Sequence, residues 1–180
     1  PEIYSVGPFI KACNIQSWGA AFLDVGCGSR SWWLNNLQAL GFTKLIGVDP
    51  HIEHDINDGG IVIRKAQIHD IDGQFDLITL HHSLEHIPGQ IETLRSVKLR
   101  LKPHGYCLIR IPLASSLAWD MYGTDWVELD APRHLYLHSL VSIELLCRKV
   151  GLDLVKTTWD SGTFQFYGSE QYRRDIPLTA

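Results

Sequence analysis

Short apolar runs near 20–25, 44–49, 61–64, 75–80 and 105–111 recur along the chain with little alternation between apolar and polar positions. Runs of that length without a period of two read as strands covered on both faces, as in a parallel sheet. Between them lie segments of helical character at about 31–40 and 89–101, the first closed by Gly41 and the second by Lys102-Pro103. A further helix is expected from Ser139, which can cap it, to Val150, with Gly151 to end it and a strand to follow at 152–159. The alternation predicts an α/β fold, a Rossmann-like doubly wound, mostly parallel sheet with helices on both faces. The connection over 51–60 is short, polar and marked by Gly59-Gly60, so no full helix is expected there.

The first apolar run ends in Phe22-Leu23-Asp24-Val25-Gly26-Cys27-Gly28-Ser29-Arg30. Gly26 and Gly28 allow backbone angles closed to other residues and a close approach of ligand to main chain, beside a helix N-terminus that attracts negative charge. Asp49 follows 21 residues after Gly28, at the end of the second run, where a doubly wound sheet holds ribose hydroxyls. A dinucleotide loop would carry a third glycine at position 31, and this chain has Ser31. Asp24 would repel a pyrophosphate and favour an amino group, although it can also brace the loop. The loop therefore prefers a ligand with both an ammonium and a carboxylate.

The chain has 180 residues, 45% of them hydrophobic and six of them tryptophan, enough for one core and short for two domains. The expectation is a single domain over 1–180. Because it begins at Pro1, an excised domain or a processed chain is expected. A formal net charge of −4 with scattered Lys and Arg argues against a nucleic-acid partner. Cys13, Cys27, Cys107 and Cys147 show no metal or disulfide spacing and suit a cytoplasmic protein, and no apolar run is long enough for a membrane helix.

Five segments, in order and spacing, resemble the class I S-adenosylmethionine-dependent methyltransferases, in the small-molecule group that includes ubiquinone-biosynthesis O-methyltransferases. They are LDVGCGS at 23–29, LIGVDP at 45–50, FDLITLHHSLEHI at 75–87, LKPHGYCLIRIP at 101–112 and PRHLYLHS at 132–139. Arg30 stands where the family commonly has glycine, and would narrow the methionine end or pair with its carboxylate. The resemblance implies seven strands, the last antiparallel, for which Thr163–Tyr167 is the candidate, so that the final strand is expected to be missing or short.

The resemblance further implies that Asp24, Gly26 and Gly28 hold the methionine portion of S-adenosyl-L-methionine and Asp49 its ribose. Gln67 and His81 flank the adenosine, with Ile68 against the ring face. A small polar acceptor is methylated, at oxygen by preference. The tail Phe164–Tyr172 is similar to tails of methyltransferases of polysaccharide clusters, which implies a sugar or nucleotide-sugar acceptor. The long connection from Pro112 to His138 follows a strand's carboxyl end and is expected to cover the acceptor, with Trp119, Tyr122 and Trp126 as walls or as core.

A histidine near neutral pH can take the proton of the acceptor hydroxyl, and His134 and His82 are the candidates. Glu85 and His86 either face the acceptor or tie the loop, and His138 reads as surface. His81 and His82 would point to opposite faces of a strand, so the histidines are not read as a metal site and no metal is expected. Two other classes stay open: an NAD-dependent oxidoreductase on the same fold, and a noncatalytic binding module.

Overall fold

The computed structural model describes residues 6–178. They fall into two compact units: the residues through Leu84 with Glu92–Arg110, and Glu85–Ile91 with the residues from Ile111 onward.

The first unit begins with α1 (Gly7–Ala12), β1 (Ala21–Val25), α2 (Trp32–Ala39) and β2 (Lys44–Val48). It continues with β3 (Ile56–Asp58), β4 (Ile61–Arg64), β5 (Phe75–His81), α3 (Gln90–Arg100, in this unit from Glu92) and β6 (Leu101–Arg110). The strands form one sheet in the order β3-β4-β2-β1-β5-β6. All neighbours pair in parallel except β3, which runs antiparallel to β4 across the polar 51–60 connection. This is the expected Rossmann-like, mostly parallel sheet. The order reverses at β1, so the loop after β1 lies at the switch point where open α/β sheets bind ligands.

Apolar residues without alternation do lie inside: Phe22, Leu23, Leu45, Leu77, Ile78 and Leu80 are all buried. Ser31 caps α2, its Oγ accepting the Leu34 N–H at 3.0 Å, and Trp33, Leu34 and Leu37 pack into the core with the β1 and β2 side chains. β6 starts directly after α3, earlier than the run at 105–111, with a register break opposite Phe75 and Leu77. Gly105 makes the break sterically feasible, since a Cβ there would sit 3.0 Å from the Lys102 and Phe75 carbonyl oxygens.

The second unit holds α4 (Leu117–Tyr122), α5 (Leu140–Lys149) and α6 (Phe164–Arg173) with short 3-10 turns. The Ser139 cap operates as read, its Oγ accepting the Ser142 N–H at 3.1 Å. One expected strand does not form, and the candidate for the final strand is helical, in keeping with a final strand expected to be missing or short. Residues 152–159 form no strand: Leu154, Val155 and Trp159 are exposed, and no described strand pairs with the segment, so its β propensity finds no sheet edge. Thr163–Tyr167 is not a strand either, because α6 begins at Phe164 and presses Phe166 and Gly168 onto the unit's core and the turn at Val127. Spacing of three to four residues, not two, governs that stretch. No helix among the described residues is long and apolar enough to cross a membrane.

Candidate functional site

The loop after β1 is braced from three directions. Asp24 is buried inside the strand, its Oδ2 accepting the Ser31 hydroxyl at 2.6 Å and its Oδ1 the Thr79 hydroxyl at 2.7 Å. Burial pushes its carboxyl up to about 6, against those two hydrogen bonds, which lower it. The bracing role weighed for Asp24 is the one its contacts display. Gly26 has φ +73°, donates to the Val48 carbonyl at 2.8 Å, and lies so near β5's end that a Cβ would meet Ser83 Cβ at 2.5 Å. The Ser83 hydroxyl in turn donates to the Val25 carbonyl at 2.8 Å.

Gly28 is different. Its φ is +65°, yet a Cβ would meet nothing within 4 Å, so one side of the loop is open to a ligand. Its N–H donates to Asp49 Oδ2 at 2.8 Å, while Asp49 Oδ1 accepts the His51 N–H at 2.8 Å. Each carboxylate oxygen has a second lone pair, so Asp49 can hold the loop and still accept ribose hydroxyls. Arg30 is exposed beside this loop.

The adenosine flanks are less uniform. Gln67 is exposed at the start of a 3-10 turn, its main-chain N–H taken by Asp70 Oδ2 at 3.1 Å. Ile68 is 2% exposed, a core side chain that cannot lie against a ligand ring as expected. His81 ends β5 with its ring 5.3 Å from that of Trp32 and 4.7 Å from that of Trp33. Neither of its ring nitrogens has a hydrogen-bond partner among the described residues. Burial, with the charges of Arg110 and His82 adding to it, pulls its imidazole down to about 3, so it is neutral near pH 7. His82 turns away with φ +48°, its N–H on the Arg110 carbonyl at 2.8 Å and its side chain exposed.

The second unit gathers the other candidates. His134 is buried, its Nδ1 on the Glu128 carbonyl at 2.8 Å and its Nε2 4.0 Å from Glu85 Oε1 and 3.8 Å from Asp130 Oδ2. His86 binds the Arg133 carbonyl through Nδ1 at 2.9 Å, and its ring lies 4.7 Å from that of His134. The Leu135 N–H donates to the Glu85 carbonyl at 2.9 Å, so the loop is tied and the side chains converge. His138, read as surface, is 9% exposed and spans Ser142 Oγ and Gln90 Oε1 at 3.0 Å each. Trp119, Tyr122 and Trp126 pack with Phe166 of α6 as core rather than as walls.

Three residues that organise the loop were missed as functional: Ser31, Thr79 and Ser83. A signal existed for two of them. Ser31 stands three residues before Leu34 at a cap position, and Thr79 is the one hydroxyl inside the apolar run Phe75–Leu80, level with Asp24 on the neighbouring strand.

Residues 12–157 match the family model described as "Methyltransferase domain". The chain is 34% identical over 92 residues to the mitochondrial ubiquinone biosynthesis O-methyltransferase of Saccharomyces cerevisiae, covering 45% of this chain and 30% of that protein. It is 27% identical over 113 residues to the demethylmenaquinone methyltransferase of Staphylococcus saprophyticus, covering 53% of this chain and 46% of the relative. These matches thus span less than half the length of the curated relatives. Magnesium protoporphyrin IX methyltransferase from Synechocystis PCC 6803, solved with bound SAH, shares the fold with a TM-score of 0.65 at 16% identity, covering 89% of this chain and 76% of that one. The matched span, the sheet order and the glycine loop agree, and the chain belongs to the methyltransferase domain family, in its class I S-adenosylmethionine-dependent group.

Proposed function

We propose that this chain transfers a methyl group from S-adenosyl-L-methionine to an oxygen of a small polar acceptor. The observation that carries the reading is the open face of Gly28 beside Asp49, a cradle joined by the 2.8 Å hydrogen bond between them. The residues fit the donor: the loop offers main-chain groups to its amino-acid end and Asp49 a carboxylate to its ribose. Arg30, beside the loop, suits the carboxylate of the methionine portion, and Gln67 and His81 the adenosine end. The donor, when bound, supplies a methyl group on a positively charged sulfur.

The chain's own contribution is to hold the reactants and to take a proton. Positioning of this kind is worth up to ~7–11 kcal/mol in favourable cases. As the acceptor oxygen forms its new bond to carbon, the hydroxyl proton passes to a base, and His134 is favoured over His82. The Glu128 carbonyl occupies its Nδ1, which leaves the lone pair on Nε2.

The relatives named for ubiquinone and demethylmenaquinone chemistry make a hydroxylated quinone-type ring the acceptor to test beside the sugar or nucleotide sugar suggested by the tail. The same reading takes no nucleic acid and no membrane as partner and the cytoplasm as the compartment, from the charge of −4 and four cysteines without metal or disulfide spacing. The test is formation of S-adenosylhomocysteine with each acceptor class. Product above the acceptor-free rate supports the reading, and none with either class contradicts it.

A further inference from the structure

We propose that Glu85, His86 and His134 form a binding site for a divalent transition-metal ion of the zinc class. One ligand atom from each lies within 4.8 Å of the others. The three ligands come from two separate stretches, Glu85-His86 and His134, which the second unit brings together.

Two features argue for a metal rather than an ion pair. First, His134 Nε2 stands 4.0 Å from Glu85 Oε1 and 3.8 Å from Asp130 Oδ2, beyond hydrogen-bond reach of either. Metal–ligand bonds of ~2.0–2.2 Å place neighbouring ligands ~3.4 Å apart around a tetrahedral ion, which small side-chain rotations would reach. Second, both imidazoles rest through Nδ1 on main-chain carbonyls, His86 on Arg133 and His134 on Glu128. That is the outer-shell arrangement that orients metal-bound histidines, with Nδ1 carrying the proton and Nε2 the lone pair. Asp130 Oδ1 is held by Arg133 at 2.7 Å, and its Oδ2 is placed as a fourth ligand.

Glu85 and His134 are buried while His86 is exposed, so the cluster is dry on one side and reachable from the other. Two imidazoles and a carboxylate suit zinc-class ions and not magnesium, which takes oxygen ligands. On the function proposed above, an ion held by His134 Nε2 would occupy the lone pair that takes the acceptor's proton, so bound Zn²⁺ would block methyl transfer rather than assist it. Metal binding itself needs neither donor nor acceptor, so its failure is separable from failure of that function.

The experiment is calorimetric titration of the chelator-stripped chain with Zn²⁺ and, separately, Mg²⁺, repeated on His86→Ala, Glu85→Gln and, as control, the exposed His54→Ala. The expected result is one Zn²⁺ per chain, weakened at least about tenfold by His86→Ala and Glu85→Gln and unchanged by His54→Ala. Absence of stoichiometric Zn²⁺ binding would overturn the proposal. So would affinity that His86→Ala and Glu85→Gln leave as in the unaltered chain, or Mg²⁺ bound as tightly as Zn²⁺.

Discussion

The Gly28 N–H donates to Asp49 Oδ2 at 2.8 Å, joining the loop after β1 to the end of β2. Two features that the sequence presents 21 residues apart are therefore one structural device. Asp49→Ala removes the acceptor for the Gly28 and His51 N–H groups together with the carboxylate for the ribose. S-adenosylhomocysteine affinity should fall by roughly 10- to 100-fold, the scale of one or two hydrogen bonds to a charged group. Calorimetric titration of a variant shown to be folded by circular dichroism measures this, and undiminished affinity would remove Asp49 from the site.

The two loop glycines should respond differently to alanine. Gly28→Ala meets open space and carries only the strain of φ +65°, about 1 kcal/mol. Gly26→Ala carries similar strain and also drives its Cβ to within 2.5 Å of Ser83 Cβ. Overpacking of that kind adds ~1–3 kcal/mol. Urea denaturation should rank Gly26→Ala as the less stable variant, and the reverse order would mean the loop is not packed as described.

The parallel sheet, its order of runs and the caps at Ser31 and Ser139 were legible because buried strands and capped helices are local patterns. Asp24 illustrates where legibility ended. Its position before the glycines suggested an ammonium partner, and what could not be read was that its oxygens accept from Ser31 and Thr79, the second of them on a strand 55 residues away. Such partners depend on strand neighbours, and neighbours depend on topology. Phe164–Tyr167 shows the same limit from the other side, since four residues rich in aromatics fit a strand or a helix until the packing of Phe166 and Gly168 decides. The convergence of Glu85, His86 and His134 was likewise hidden by separation along the chain.

The Asp24 carboxyl predicts a specific pH dependence. A carboxyl whose folded pKa exceeds its unfolded value contributes stability that is fully present below about pH 4. That contribution is lost as pH rises through about 6, the value to which burial pushes Asp24. Asp24→Asn has no charge to bury and keeps one oxygen for a hydroxyl. Between about pH 4 and 6 the native chain should therefore lose more stability than Asp24→Asn, as read by urea denaturation at three pH values. Equal dependence in both proteins would show that Asp24 is not the source.

His134→Ala should lower turnover by ~10²- to 10⁴-fold, once an acceptor is in hand, while the donor's dissociation constant stays within about threefold. His82→Ala, at an exposed position, should leave turnover much closer to the native rate. A full rate in His134→Ala, or the larger loss in His82→Ala, would move the base away from His134.

The central claim is that the loop after β1 and Asp49 hold S-adenosylmethionine. Thermal unfolding of the purified chain with S-adenosylmethionine, S-adenosylhomocysteine or NAD tests it without an acceptor. Either sulfur ligand at 100 times its dissociation constant should add ~2.7 kcal/mol, or roughly 5–11 °C for a chain of this size, and NAD should add nothing. A shift with NAD, or none with the sulfur ligands, would contradict the account.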